Sequence, residues 1–472
     1  MAGSATHTNL EGPAYRTILK LAIPTVIAMM SQAIVNAVDS VFFAHLPTPQ
    51  ESSDGQAALM PSLILLWMFG GALSSVSVGA QALAARRYVE GNHKQAGAVL
   101  ANAMMFCVVG GLVLTAVGFF LLPWMAVKQH PSETVQTVIV DYGTYRMFGI
   151  MSMAMTMGIK GFFDGIGRTW IHFVSSVVMN IFNILFCWIF IFGNLGAPKM
   201  GAAGAGLAAL LATWIGLGVM LYYVVKERRT FEPFQVSGLS MKLMWSLLKL
   251  SIPAAGATII MMFGFQMFLT IVGKLDAASN LAAHTPLDAA QTSVNGAATS
   301  NIISMLKLTF TACIAFGTAT ATLVGQSLGS KRADLASKFG WASIRLGLMI
   351  FGVVGLFEGI LLTPQIIDVW TQDPAVRDAM LVPMRIIGCA TPIIAVVMIM
   401  SEALFGAGIP KFVAIAQLVL VFGLLLPAAY FLAITMNMGL VGIWTAATIY
   451  ISVGAVVMSV EFLRGKWKTV EI

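Results

Sequence analysis

A carboxylate inside an apolar run is the first feature that suggests chemistry. The stretch SQAIVNAVDSVFFAHL, residues 31–46, would read as the end of a membrane-spanning helix but for Asp39. Gln32, Asn36 and Asp39 are spaced i, i+4, i+7 and so share one helical face. A charge in mid-membrane costs roughly 2.5–3.5 kcal/mol on insertion scales, which makes such a residue a candidate for ion or substrate binding. Two readings stand. In one, Asp39 snorkels to the outer surface while Gln32 and Asn36 bond neighbouring helices. In the other, Asp39 binds and releases a cation, and a proton taken up from outside is the simplest such cation. Pro24, on the same helix, would bend it.

A second polar stripe lies in SSVVMNIFNILFCW (175–188), where Ser176, Asn180, Asn183 and Cys187 follow i, i+4, i+7, i+11. Alone it reads equally as interhelical glue. Beside the Asp39 stripe it reads as the facing wall of one polar pocket. Other intramembrane charges are Arg146, Arg385, Lys307 and Glu402. The two arginines read as structural, snorkelling outward or pairing with Asp141 or helix ends, whereas Lys307 and Glu402 could face a cleft. Lys160 and Asp164 flank a span end, where a surface role is expected. The run MMFGFQMF (261–268) surrounds Gln266 with Met and Phe, including Met262 and Phe265. Such side chains suit a promiscuous apolar binding wall, or equally an ordinary lipid-facing surface.

These residues sit on a chain of 472 residues that is 58% hydrophobic and 10% charged. Soluble chains carry about 25% charged residues. Long apolar stretches recur throughout, so the expected fold is an all-α polytopic membrane protein. Twelve spans are read, centred near residues 30, 72, 107, 148, 180, 213, 257, 312, 348, 390, 421 and 450. The polar tail 1–14 precedes a first run too long for a signal-peptide core, which is read as a retained span. Lys and Arg concentrate on one side, from Arg16 and Lys20 through Arg86, Arg168 and Lys331 to Arg464. Only Lys128, Lys199, Lys274 and Arg377 lie opposite, so both termini are expected in the cytoplasm. Cys107, Cys187, Cys313 and Cys389 all lie in apolar stretches and read as small core residues.

The chain also repeats. LKLAIPT (19–25) returns as LKLSIPA (248–254), and VGAQALAAR (78–86) as LVGQSLGSK (323–331), with Gln81 opposite Gln326. YRMFG (145–149) returns as MRIIG (384–388), FFDGIGR (162–168) as LFGAGIP (404–410), and MGAAG (200–204) as MGLVG (438–442). Five matches in order, offset by about 230–245 residues, indicate duplication. The expected organisation is an N-terminal tail (1–14), an N-lobe (15–225), a linker (226–241), a C-lobe (242–463) and a C-terminal tail (464–472). Polar insertions follow span 1 (LPTPQESSDGQAA) and span 7, at equivalent places. An even number of spans per half makes the repeat parallel, its pseudo-twofold along the membrane normal, with a cleft between lobes that can rock. Asp39 has no repeat partner, since Phe268 stands at that place.

Three segments resemble the MATE (multidrug and toxic compound extrusion) family of the MOP superfamily. They are LAIPTVIAMMSQAIVNAVDSVF, GRTWIHFVSSVVMNIFNILFCWIFIFGNLGAPKMGAAGAG and FGTATATLVGQSLGSKRADLA. The resemblance covers about 15–465. It implies export of amphipathic, often cationic, organic compounds, driven by inward flow of protons or sodium. It implies that Asp39 carries the coupling ion and that Asn183 approaches it; the spacing read above puts Asn36, Asn180 and Gln32 around them and Pro24 at a bend. Several members carry an Asp where this chain has Cys187. A family Thr is replaced by Ala209, with Thr213 one turn on, and Met262 stands near a Glu of another branch. The thin set Asp39, Asn36 and Asn183 makes at most a weak sodium site, which favours a proton. The implied substrate cavity includes Gln266, Met262, Phe265 and Lys307.

The expectation is therefore a monomeric inner-membrane drug/proton antiporter, with sodium as the alternative ion and no cofactor or nucleic acid. A lipid-linked oligosaccharide flippase of the same superfamily is the rival, with Arg146, Arg385 and Lys307 supplying a basic cleft. An enzyme is not expected, because there is no HExxH motif and no GxxxxGK[ST] phosphate loop.

Overall fold

The computed structural model describes residues 10–44, 46, 48–129, 132–235, 238–282, 294–371 and 373–470. Side chains at 32–41, 44, 49, 53, 56–57, 60–61, 63–64 and 278–282 lie outside the description. In lipid every backbone N–H and C=O must be satisfied within the segment, so apolar runs of this length have to be helices.

Twelve helical rods are found among the described residues. Span 1 is Ala14–Ala44 and span 3 is His93–Gln129. Span 2 is assembled from Pro49–Leu66, the π-turn Trp67–Gly71, Ala72–Ser74 and Val76–Val89. Span 4 is divided at Gly149 into Glu133–Phe148 and Ile150–Gly165. Spans 5 to 8 are Trp170–Phe192, Gly201–Lys226, Met241–Ala282 and Val294–Gly329. Span 9 is Ala333–Leu356 continued by the π-turn Phe357–Leu361, and span 10 is Pro374–Gly406. Span 11 runs from Pro410 to Thr435 through two π-turns, Val421–Leu425 and Phe431–Thr435. Span 12 is Gly439–Arg464. Among the described residues, ten of these are by themselves long and apolar enough to cross a membrane. The insertion after span 1 is largely a helical extension of span 2, since Pro49–Leu66 is already helical.

The repeated motifs have structural reasons. One apolar core is built from spans 7–12 together with Ile18, Leu21 and Ala22 from the base of span 1. A second is built from spans 2–6 together with Leu247 and Leu250 from the base of span 7. Leu21 and Leu250 occupy matching places in the repeat, so each half lends the base of its first helix to the other half's core. The linker is also anchored. Phe231 is buried and packs edge-on against Phe162, while the Asn102 amide donates to Gly238 O at 2.9 Å.

Ion pairs identify one end of the bundle. Lys94, after span 2, meets Glu232 of the linker at 3.2 Å, and Arg168, after span 4, meets Glu227. Arg332, after span 8, meets Glu11 ahead of span 1 at 3.0 Å. All these connections therefore share one end, the end that carries the Lys/Arg excess. Cys107, Cys187 and Cys313 are buried as expected, but Cys389 is exposed, because it lies on the outer side of span 10 where it passes Gly359.

Candidate ion- and substrate-binding region

The two halves close on each other at the end that carries the Lys/Arg excess. The Gln81 amide of span 2 donates to Thr318 O and to Thr322 Oγ1 of span 8, both at 2.9 Å. Its repeat counterpart Gln326, on span 8, donates to Gly165 O of span 4 at 2.7 Å. Thr322 Oγ1 donates to Asp164 O at 3.0 Å, and Arg86 reaches Ala407 O at 2.8 Å. All of these donors are buried, and each bond left unmade would cost about 1–3 kcal/mol. Close backbone approach makes them possible. A Cβ on Gly329 would lie 2.6 Å from Arg86 Cα, and one on Gly165 would lie 2.6 Å from Gln81 O. Gly329→Val should therefore hold this seal apart. Ala85→Cys, in a Cys389→Ser background, reports it through increased labelling by a membrane-impermeant thiol reagent. Unchanged labelling would mean that the seal tolerates the side chain.

Lys160 and Asp164 belong to this seal, which corrects the expected surface role. Lys160 Nζ meets Asp164 Oδ2 at 2.6 Å, with the side chains 10% and 1% exposed. Their end of span 4 is covered by span 8 of the other half, a partner remote in sequence. Glu402 of span 10 packs against Gly317, next to the Thr318 carbonyl that accepts from Gln81. The sequence expectation that Glu402 could face a cleft thus becomes a place beside the seal.

Beyond the seal, spans 1 and 5 pack together. Thr169, at the start of span 5, donates to Leu21 O at 3.1 Å, and Thr25 donates to the same carbonyl at 3.0 Å. The base of span 1 is thereby pinned directly below Pro24, which lacks an N–H for the helix ladder. On span 5, Asn183 is buried and Asn180 half-buried. Each has an amide oxygen removed from solvent with no hydrogen-bond partner among the described residues. Cys187 is fully buried on the same face. Gln32, Asn36 and Asp39 lie outside the described side chains; the backbone that carries them is helical. The stripe also extends one turn further than the sequence reading took it. His172 is buried, four residues before Ser176, and its Nε2 lies 3.4 Å from Ser176 Oγ. The i, i+4 spacing was the available signal. Thr213 does not join the stripe, because its hydroxyl is held by Ser152 Oγ at 3.0 Å.

In the C-terminal half, Gln266, Met262, Phe265 and Lys307 are all exposed. No hydrogen bond or ring contact joins Lys307 to the other three among the described residues. Phe268, the repeat counterpart of Asp39, is buried, stacked on Phe265 and edge-on to Trp444. An aromatic core therefore occupies the place where the other half carries a charge. Arg146 makes no ion pair with Asp141; its guanidinium lies over the Tyr142 ring at 5.7 Å.

The MatE family model matches residues 24–189 and 292–431. The chain belongs to the MatE family. It is a MATE transporter, a multi-pass membrane protein and not an enzyme. It is 24% identical over 461 residues to the probable multidrug resistance protein NorM of Thermotoga maritima, covering 96% of this chain and 93% of that one. Its fold is similar to a MOP superfamily transporter from Pyrococcus furiosus, with a TM-score of 0.86, 18% identity and 98% of each chain covered. It is also similar to an outward-facing multidrug resistance MATE transporter, with a TM-score of 0.84, 19% identity and 97% and 96% covered.

Proposed function

We propose that this MATE transporter exports amphipathic or cationic organic compounds in antiport with protons, from the cytoplasm across the inner membrane. Residues 15–225 and 242–463 act as the two lobes, and both termini are cytoplasmic. The observation that carries this reading is a sealed end with a polar stripe beyond it. The seal joins the halves at the Lys/Arg-rich end, and the stripe holds buried amide oxygens that have no partner among the described residues.

In this reading Asp39 takes up a proton from outside. Loss of its charge releases Asn36, Asn180, Asn183 and Gln32 from a shared cation or substrate, and span 1 swings above the point where Thr169 pins it. The stripe His172, Ser176, Asn180, Asn183 leads from the Asp39 level towards Lys160, Asp164 and Glu402, a polar route to the cytoplasmic end. The buried thiol of Cys187 offers no second carboxylate, so sodium would rest on Asp39 and a few amide and backbone oxygens, a poor set for a hard cation. The substrate wall is the exposed Gln266, Met262 and Phe265 surface, with Lys307 at its margin. The names of the relatives, multidrug resistance proteins, support the substrate class.

The test is accumulation of a fluorescent lipophilic cation in cells that express the chain. Accumulation should fall and should recover when the pH gradient is collapsed. Efflux that ignores the pH gradient would remove the proton reading. Transfer of a lipid-linked sugar without cation efflux would favour the flippase.

A further inference from the structure

Span 9 holds a carboxylate that this scheme does not use. Glu358 lies in the π-turn Phe357–Leu361, at the end of span 9 remote from the seal. Thr309 Oγ1 of span 8 donates to its Oε1 at 2.9 Å, and Thr391 Oγ1 of span 10 donates to its Oε2 at 2.9 Å. Thr309 is 6% exposed and Thr391 is fully buried. The site is built by close approach. A Cβ on Gly388 would lie 2.6 Å from Gly359 Cα, and one on Gly355 would lie 2.6 Å from Gly388 O. Only glycines let spans 9 and 10 come near enough for Glu358 to meet Thr391. Side chains lean towards the N-terminus of their helix, so Glu358 points from the outer end of span 9 back towards the two threonines. π-turns inside α-helices occur frequently at functional sites.

Glu358 has no cationic partner among the described residues. The ionisable groups on the elements around it are Cys313 and Lys307 on span 8, and Asp378, Arg385, Cys389 and Glu402 on span 10, while span 9 itself carries Asp334, Lys338 and Arg345 towards its other end. Beyond these lies the Asp368–Arg377 pair, joined at 2.5 Å. Lys307 and Arg385 are exposed and make no ion pair with Glu358. The scaffold does not call for this charge either, because span 3, the repeat counterpart of span 9, contains no acidic residue. A glutamine could tie the same three helices together without the insertion cost of a carboxylate.

We propose that Glu358, Thr309 and Thr391 form a second coupling-cation site, in the C-terminal half, that takes a proton or a sodium ion during transport. Two hydroxyls that donate to an ionised carboxylate still present free oxygen lone pairs, which is a cation's ligand set. When the carboxylate is protonated, one hydroxyl must instead accept, and its own proton can turn to the carbonyl four residues back. Loading and unloading then need only hydroxyl rotation. The site rests on the antiport reading, and it adds one cation per cycle to the one assigned to Asp39.

The test uses full-length protein in liposomes with the membrane potential clamped at zero. The steady-state gradient of a fluorescent lipophilic cation is measured against imposed proton and sodium gradients separately; the gradient that responds names the ion. Glu358→Gln keeps the shape and should couple one cation fewer per cargo than the wild type. Thr309→Val combined with Thr391→Val keeps the carboxylate and should move the half-saturating cation concentration by about tenfold, without moving cargo saturation. If Glu358→Gln does not fold, the threonine pair decides. Unchanged stoichiometry in Glu358→Gln, or unchanged cation dependence in the threonine pair, overturns the proposal. Asp39→Asn in the same assay judges the Asp39 reading alone. A fully coupled Asp39→Asn beside a depleted Glu358→Gln would remove Asp39 and leave this site standing.

Discussion

Asp39→Asn inserts and folds like the parent and loses coupled substrate transport by about tenfold or more, which corresponds to at least about 1.4 kcal/mol in the coupled step. Asparagine has nearly the size and shape of aspartate, so packing in span 1 is preserved. What disappears is the ability to alternate between a charged and a neutral state. The span 5 stripe offers no second carboxylate, since the residue one turn beyond Asn183 is the buried thiol of Cys187. In the proposed stripe, the amide oxygens of Asn180 and Asn183, which have no partner among the described residues, would accept from an asparagine at position 39 in every state. The variant should therefore settle into one arrangement of the stripe. Initial rates of dye uptake into inside-out proteoliposomes under a fixed pH gradient measure the effect. Wild-type rates in a correctly inserted variant would mean that Asp39 only snorkels.

The second large effect concerns stability. Lys160→Met leaves Asp164 buried without its partner. The pair is held at 2.6 Å with Asp164 only 1% exposed, and its second carboxylate oxygen has no hydrogen bond among the described residues. Breaking a buried pair from one side costs about 3–5 kcal/mol, whereas replacing both members by apolar groups is often neutral. Lys160→Met should therefore melt well below the parent in detergent, and Lys160→Met with Asp164→Leu should recover most of the loss. Because membrane proteins of this size seldom refold, the comparison is one of apparent melting temperatures at a single scan rate. Equal melting of the single and double variants would show that the pair is wetted and unimportant to the seal.

These two sites differ in how visible they are in the chain. Asp39 is visible because its cost is local: one carboxylate in an apolar run needs no knowledge of neighbours. Lys160 and Asp164 lie at a span end, and hydropathy cannot distinguish an end bathed in water from one covered by another half of the molecule. Their cover is span 8, more than 150 residues away, where Thr322 bonds Asp164 O across 158 positions. The Gln81–Gln326 correspondence is plain in the repeat, but its meaning, reciprocal bonds across the seam, appears only when the two helices face each other. Glu358 is legible as a charge in a span and nothing more, since each of its partners sits on a different helix. The twelve-span architecture follows from length and apolarity, yet neither reveals the break at Gly149 or the π-turns. Those are set by packing against neighbours.

The most direct test of the central claim imposes one gradient at a time on purified protein in sealed liposomes, with a fluorescent lipophilic cation as cargo. A proton gradient alone should drive cargo against its own gradient, and Asp39→Asn should reduce that movement about tenfold or more. No cargo movement under a proton gradient alone, or proton-driven movement undiminished in Asp39→Asn, would contradict the account.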